Sequence, residues 1–211
     1  KHHYAVAMIF YPNGEELKLR CADVVRRVIA AEGLTLLGER VVPTDNSKLS
    51  EGVIATQPII EQMVIARPEG LTLDEFERKL LILRKVISNT VYGELPESQS
   101  DNGFYVVSMS ARTLVYKGMF LADQLGAFYE DLHDEAFESA IALVHQRFST
   151  NTFPSWKLAH PYRMTTHNGE INTIRGNVNW MAARQASVHS KYFGDDIGKL
   201  WPISYEGQSD T

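Results

Sequence analysis

Two polar clusters, each set directly after an apolar run, concentrate the chemistry of this chain. The first is His145-Gln146-Arg147-Phe148-Ser149-Thr150-Asn151-Thr152-Phe153-Pro154-Ser155-Trp156, and the second is His167-Asn168-Gly169-Glu170-Ile171-Asn172. The guanidinium of Arg147 is a planar fork of donors suited to a carboxylate. The side-chain amide of Asn168 and the backbone N–H of Gly169 can supply paired donors to a tetrahedral oxyanion. Together they suit a substrate that carries a carboxylate and reacts through a tetrahedral intermediate. Each also has a plainer reading: Arg147 as a surface arginine paired to an acidic neighbour, Asn168-Gly169 as a tight turn. The turn reading is the weaker, because a helical pattern and not a second strand follows the pair at once.

Three histidines, His145, His160 and His167, fall in the same neighbourhood. Zinc usually takes three or four ligands at defined spacing. No HExxH-like pattern or carboxylate cluster accompanies these three, so packing or supporting roles are expected and no metal is assigned. Trp156 and Phe153 read as pocket wall or core. The single cysteine, Cys21, excludes an internal disulfide and a CxxC metal site. It falls on the apolar side of a helical pattern, beside Val24 and Val25, where a thiol behaves as a small hydrophobe with a raised pKa.

Positioning these groups requires a sheet and covering helices. Tyr4 to Phe10 reads as a strand, and residues 15–32 place Leu17, Cys21, Val24, Val25, Val28 and Ile29 on one helical stripe that Gly33 can stop. Leu34 to Val42 and Gln62 to Ala66 read as strands. Thr72 and Glu75 form a capping box ahead of a second amphipathic helix carrying Leu73, Phe76, Leu80, Leu83 and Ile87. Phe104 to Met109 and Thr113 to Tyr116 are expected to form a β-hairpin through Ser110-Ala111-Arg112. Ile141 to His145 and Tyr162 to Thr166 are expected as the strands that deliver the two polar clusters. Ile171, Ile174, Val178 and Met181 give a last helical stripe, weakened at Gly176. Strands and helices grouped in long blocks, without strict alternation, indicate a layered α+β fold.

Bulk properties narrow the function classes. The chain has 211 residues, 44% of them hydrophobic and 22% charged, which is ordinary for a globular domain. Lys and Arg number 21 against 26 Asp and Glu, a formal charge of -5, and no basic cluster offers a nucleic-acid surface. No stretch approaches the roughly 20 apolar residues that span a bilayer. The start, Lys1-His2-His3-Tyr4, lacks the pattern of a signal peptide. A cytoplasmic setting is expected, with a plastid as the other option.

The two clusters resemble the class II glutamine amidotransferases, which are N-terminal-nucleophile hydrolases. Phe148, Phe153-Pro154-Ser155-Trp156 and Ile171-Asn172-Thr173-Ile174-Arg175-Gly176-Asn177 are similar in wording to the amidotransferase domains of glutamate synthase large chains. They fit less well the class II enzymes of purine, glucosamine or asparagine synthesis. A non-catalytic glutamine-binding regulatory module is a further alternative.

The resemblance implies a four-layer αββα sandwich and a glutaminase reaction that passes ammonia to 2-oxoglutarate. It implies that Arg147 binds the α-carboxylate of L-glutamine, that Asp210 holds its α-ammonium, and that Asn168 and Gly169 form the oxyanion hole. The family's nucleophile is an N-terminal cysteine whose α-amine acts as base. Lys1 does not match it and Cys21 does not replace it. Residues 1–211 are therefore expected to be one partial domain, lacking the cysteine strand and the C-terminal end, and inactive as given. No cofactor is expected in this chain. The resemblance places FMN and an iron–sulfur cluster elsewhere in a parent polypeptide, with its synthase domains and a small electron-donating subunit or ferredoxin as partners.

Overall fold

Tyr-Ala-Val-Ala-Met-Ile-Phe-Tyr is apolar on both alternating sets of positions, and it forms β1 (Tyr4–Tyr11) at the interior of a sheet buried on both faces. The computed structural model describes residues 3–146, 153–167 and 174–203. The other elements are α1 (Glu15–Ala31), β2 (Leu36–Val41), α2 (Glu51–Ile54), β3 (Ile59–Ala66), α3 (Leu73–Glu94), β4 (Tyr105–Ser110), α4 (Gln124–Phe128) and α5 (Ile174–Arg184). The four strands form one antiparallel sheet in the order β2-β3-β1-β4. This is the α+β class expected.

Side-chain alternation along β1 divides the core. Ala5, Ala7, Ile9 and Tyr11 join Met63 and Ile65 of β3 against α1 and α3, whereas Met8 and Phe10 face the opposite layer. On β4 a bulge lets two helix-side residues fall out of step. Ile9 pairs with Val106 and Met8 with Ser108, so Val107 is the extra residue. Val106 and Met109 thereby both reach the helical layer while Val107 enters the other. The same alternation sends Glu61 of β3 to Lys18 of α1, at 2.7 Å, and Gln62 to Arg40 and Tyr116 on the far side.

Both long helices follow their expected stripes. In α1, Cys21, Val24, Val25, Val28 and Ile29 are buried. It closes with Leu34 N–H donating to Ile29 O at 3.1 Å and Gly33 N–H to Ala30 O at 3.0 Å, with Gly33 at φ 71. That is the left-handed end a glycine supplies. In α3, Thr72 Oγ1 accepts from Glu75 N–H at 3.3 Å, and Thr72 N–H donates back to Glu75 Oε2 at 2.8 Å. Phe76, Leu80, Leu83, Ile87 and Val91 then line its buried face. Residues 194–203 dock on the same helix: Lys85 donates to Pro202 O, and Asn89 Nδ2 to Trp201 O at 2.8 Å. Burial pushes the Lys85 ammonium down to about 8.

The opposite face of the sheet carries an aromatic layer built from connecting segments. Met8, Phe10, Ile60 and Val107 pack there against Val42, Val115, Phe128, Tyr129 and Trp156. Fully burying each such side chain contributes about 1.5–3 kcal/mol relative to exposure. Gly118 is required by this packing, since a side chain there would collide with the rings of Phe120 and Trp156.

Three expected strands are corrected. Thr113–Tyr116 does not return beside β4, which pairs with β1 instead. The N–H groups of Arg112 and Thr113 donate to Ser110 Oγ at 2.9 and 3.2 Å, and that of Val115 to Ser108 Oγ at 3.2 Å. Side-chain oxygens thus replace the ladder. Tyr162–Thr166 is a reverse turn: Tyr162 and Thr165 exchange N–H···O bonds of 2.9 and 2.8 Å around Arg163 at φ 54. A strand cannot hold that left-handed residue. Ile141–His145 is irregular, with Ile141 85% exposed. Among the described residues no strand pairs with it, and an apolar run without a pairing edge has no ladder to join.

Candidate functional site

A cleft of about 810 Å³ opens on the aromatic side of the sheet. His145, Gln146, Ser155 and His160 form one part of its wall, and Lys48 and Phe120 another. The four predicted site residues, Arg147, Asn168, Gly169 and Asp210, lie outside the described residues. What the structure gives is the framework on either side of the two clusters.

His145 stands two residues before Arg147, and His167 immediately before Asn168. The imidazole of His160 meets both. It stacks on His145 with centroids 4.3 Å apart and planes 30° apart, and meets His167 edge-on at 5.2 Å. Tyr162 adds a further edge contact to His160 at 4.5 Å. The approaches to the two clusters therefore converge on one buried ring, although they are more than a dozen residues apart in sequence. Among the described residues no group of three His, Cys, Asp or Glu side chains could hold a metal ion.

Trp156 ends the first cluster in the aromatic core, 1% exposed, with Phe10, Phe120 and Phe128 around it at 6.2, 5.9 and 5.5 Å. Its indole Nε1–H donates to Thr56 Oγ1 at 3.3 Å. Phe153, expected as wall or core, is 95% exposed and is neither. The difference lies in what each ring meets. Trp156 starts a short 3₁₀ turn folded onto the sheet, whereas Phe153 precedes Pro154 outside any helix or strand.

The residue that sequence reasoning missed is Lys117. Its ammonium is buried beside the cleft and donates to the carbonyls of Lys157 and Ala159 at 2.7 and 2.8 Å. A lysine closing the apolar run Leu114-Val115-Tyr116 and followed by Gly118-Met119-Phe120 was the available signal. A long side chain among apolar neighbours must either reach water or find internal acceptors.

Cys21 stands on the other side of the sheet, wholly buried on the inner face of α1 in the core that α3 also lines. Burial pushes its thiol up to about 11, with Glu97 adding to the rise. A thiol of that kind is protonated near neutrality and has no thiolate to offer a carbonyl. Among the described residues no helix is long and apolar enough to cross a membrane.

Comparison with known proteins accords with these observations. Residues 1–211 match the family of glutamine amidotransferases class-II. The chain is 44% identical over 208 residues to the glutamate synthase [NADPH] large chain of Azospirillum brasilense, covering 98% of this chain and 13% of that protein. It is 42% identical over 212 residues to the glutamate synthase [NADPH] large chain of Bacillus subtilis (strain 168), covering 100% of this chain and 14% of that one. With the ferredoxin-dependent glutamate synthase 2, chloroplastic, of Arabidopsis thaliana it shares 39% identity over 209 residues, covering 99% and 13% respectively. The chain thus spans about an eighth of the length of these relatives. By the match along its whole length, it belongs to the class-II glutamine amidotransferases.

Proposed function

We propose that this chain forms the glutamine-binding and oxyanion-stabilising part of a glutamate synthase. The observation that carries the reading is the convergence of His145 and His167 on His160, which draws the approaches to Arg147 and Asn168 to one place. Similarity to glutamate synthases along nearly the whole chain supports it.

In this reading Arg147 binds the α-carboxylate of L-glutamine and Asp210 its α-ammonium. A cysteine thiolate attacks the side-chain amide carbon, forming a C–S bond and placing negative charge on the carbonyl oxygen. The Asn168 amide and the Gly169 N–H receive that charge, with donors fixed in advance. The C–N bond then breaks, and the departing nitrogen takes the proton that the thiol gave up, leaving as ammonia. Water cleaves the γ-glutamyl thioester to glutamate and restores the thiol. The attacking thiol is not Cys21, which is buried across the sheet from the cleft.

The finer architecture belongs to the same proposal. The helical layer and the sheet would be one half of an αββα sandwich, with a second sheet over the aromatic face. Flavin and iron–sulfur chemistry would reside in the rest of the polypeptide, fed by a reduced nicotinamide subunit or by ferredoxin. A cytoplasmic or plastid setting fits that chemistry.

Isotope transfer tests the assignment. The polypeptide carrying residues 1–211 is supplied with amide-¹⁵N glutamine, 2-oxoglutarate and a reductant, either NADPH, NADH or reduced ferredoxin. The label is expected in the α-amino group of newly formed glutamate, read by mass spectrometry. Label appearing solely as free ammonium with every reductant would point to a different class II amidotransferase.

A further inference from the structure

A buried cation needs acceptors that an apolar core does not supply, and Lys117 reaches them through the main chain. The residue is 2% exposed. Withdrawing an ammonium from water is costly unless its donors are met. Two N–H donors go to Lys157 O and Ala159 O, and the rings of Tyr105 and Tyr162 stand over the charge with centroids at 4.8 and 4.6 Å. Its own carbonyl accepts from the buried Tyr129 hydroxyl at 2.7 Å, which fixes the lysine at its base as well.

The tethered stretch is the one that carries His160. Tyr162 Oη donates to Leu158 O at 2.8 Å, so the carbonyls of residues 157, 158 and 159 are all held. Arg163 fastens the following turn by donating to Val106 O of β4 at 3.0 Å. His160 is thus suspended between two anchored points, with His145 on one side and His167 on the other.

We propose that Lys117 is a positioning residue of the amidotransferase site. Its charge holds residues 157–159, and through them His160, so that the two cluster approaches keep a fixed register. This rests on the reading of Arg147 and Asn168 as carboxylate and oxyanion groups. A shift of about 1 Å between reacting groups can cost about 100-fold in rate. Substrate binding through Arg147 should survive such a shift better than charge stabilisation at Asn168, so the effect should fall on kcat.

The test uses the glutamine-hydrolysing polypeptide that carries residues 1–211. Lys117→Met keeps the length of the side chain and removes its charge and donors. Kinetics on L-glutamine are normalised to the folded fraction from circular dichroism. The expected result is a kcat lowered by about 10–100-fold, with KM within about threefold. An unchanged normalised kcat, or a change confined to KM, overturns the inference. If Lys117→Met does not fold, Tyr162→Phe carries the test, because it keeps the ring over the ammonium and deletes the bond to Leu158 O. A normalised kcat lowered by about three- to tenfold is then expected, and an unchanged one overturns it. Absence of hydrolysis in the unsubstituted polypeptide overturns the underlying reading and this inference with it.

Discussion

Asn168→Ala is expected to lower kcat for glutamine hydrolysis by about 10²–10³-fold and to leave KM nearly unchanged. The amide is assigned to an oxygen that becomes negative only as the thiol attacks. An interaction that strengthens in the transition state is lost from kcat and kcat/KM alike. Arg147→Ala should fail differently. On the proposed reading its guanidinium meets a carboxylate that is charged before, during and after the reaction, so KM should rise, with a smaller loss of kcat from misorientation. Steady-state kinetics of both variants on L-glutamine separate the roles. A raised KM with intact kcat for Asn168→Ala would make Asn168 a turn or ground-state binding residue.

The largest expected stability effect is at Trp156. Trp156→Ala should destabilise the fold by about 3–5 kcal/mol, the range for deleting a large buried aromatic side chain. The indole fills the space among Phe10, Phe120 and Phe128, and its loss leaves those rings with no partner on one side. Three residues away, Phe153→Ala serves as the comparison. That ring is almost wholly in solvent, and its removal should change stability by less than about 0.5 kcal/mol. Urea unfolding of the two variants tests the pair. A Trp156→Ala cost below about 1 kcal/mol would contradict a packed aromatic layer on this face of the sheet.

The parts of the fold legible in the sequence are those whose signal is local. The stripe from Cys21 to Ile29 and the Thr72–Glu75 box each act within a few turns, and both appear in the structure. β1 and β3 were legible because both are strongly apolar, although β3 begins at Ile59 and not at Gln62. The Thr113–Tyr116 strand failed because Ser108 and Ser110 offered the backbone other acceptors. Tyr162–Thr166 failed because nothing in the residue type of Arg163 announces a left-handed backbone. Ile141–Val144 has the composition of a buried strand, but composition cannot supply a partner. At the site, residue types alone suggested the chemistry of the two clusters, but Arg147, Asn168, Gly169 and Asp210 lie outside the described residues. The meeting of His145 and His167 at His160, and the tether through Lys117, depend on contacts across tens of residues that no local pattern encodes.

Ammonia release from L-glutamine, followed across the substitution Cys21→Ala, tests the central claim most directly. On the proposed reading the chain carries the carboxylate-binding and oxyanion-stabilising groups of a glutamine site whose thiol is not its one cysteine. Cys21 is wholly buried on the inner face of α1 and its thiol is pushed up to about 11. Residues 1–211 by themselves are therefore predicted to release no ammonia above the buffer control. In the glutamine-hydrolysing polypeptide, Cys21→Ala is predicted to leave kcat per folded molecule unchanged. Turnover by residues 1–211 that disappears on Cys21→Ala would contradict the account.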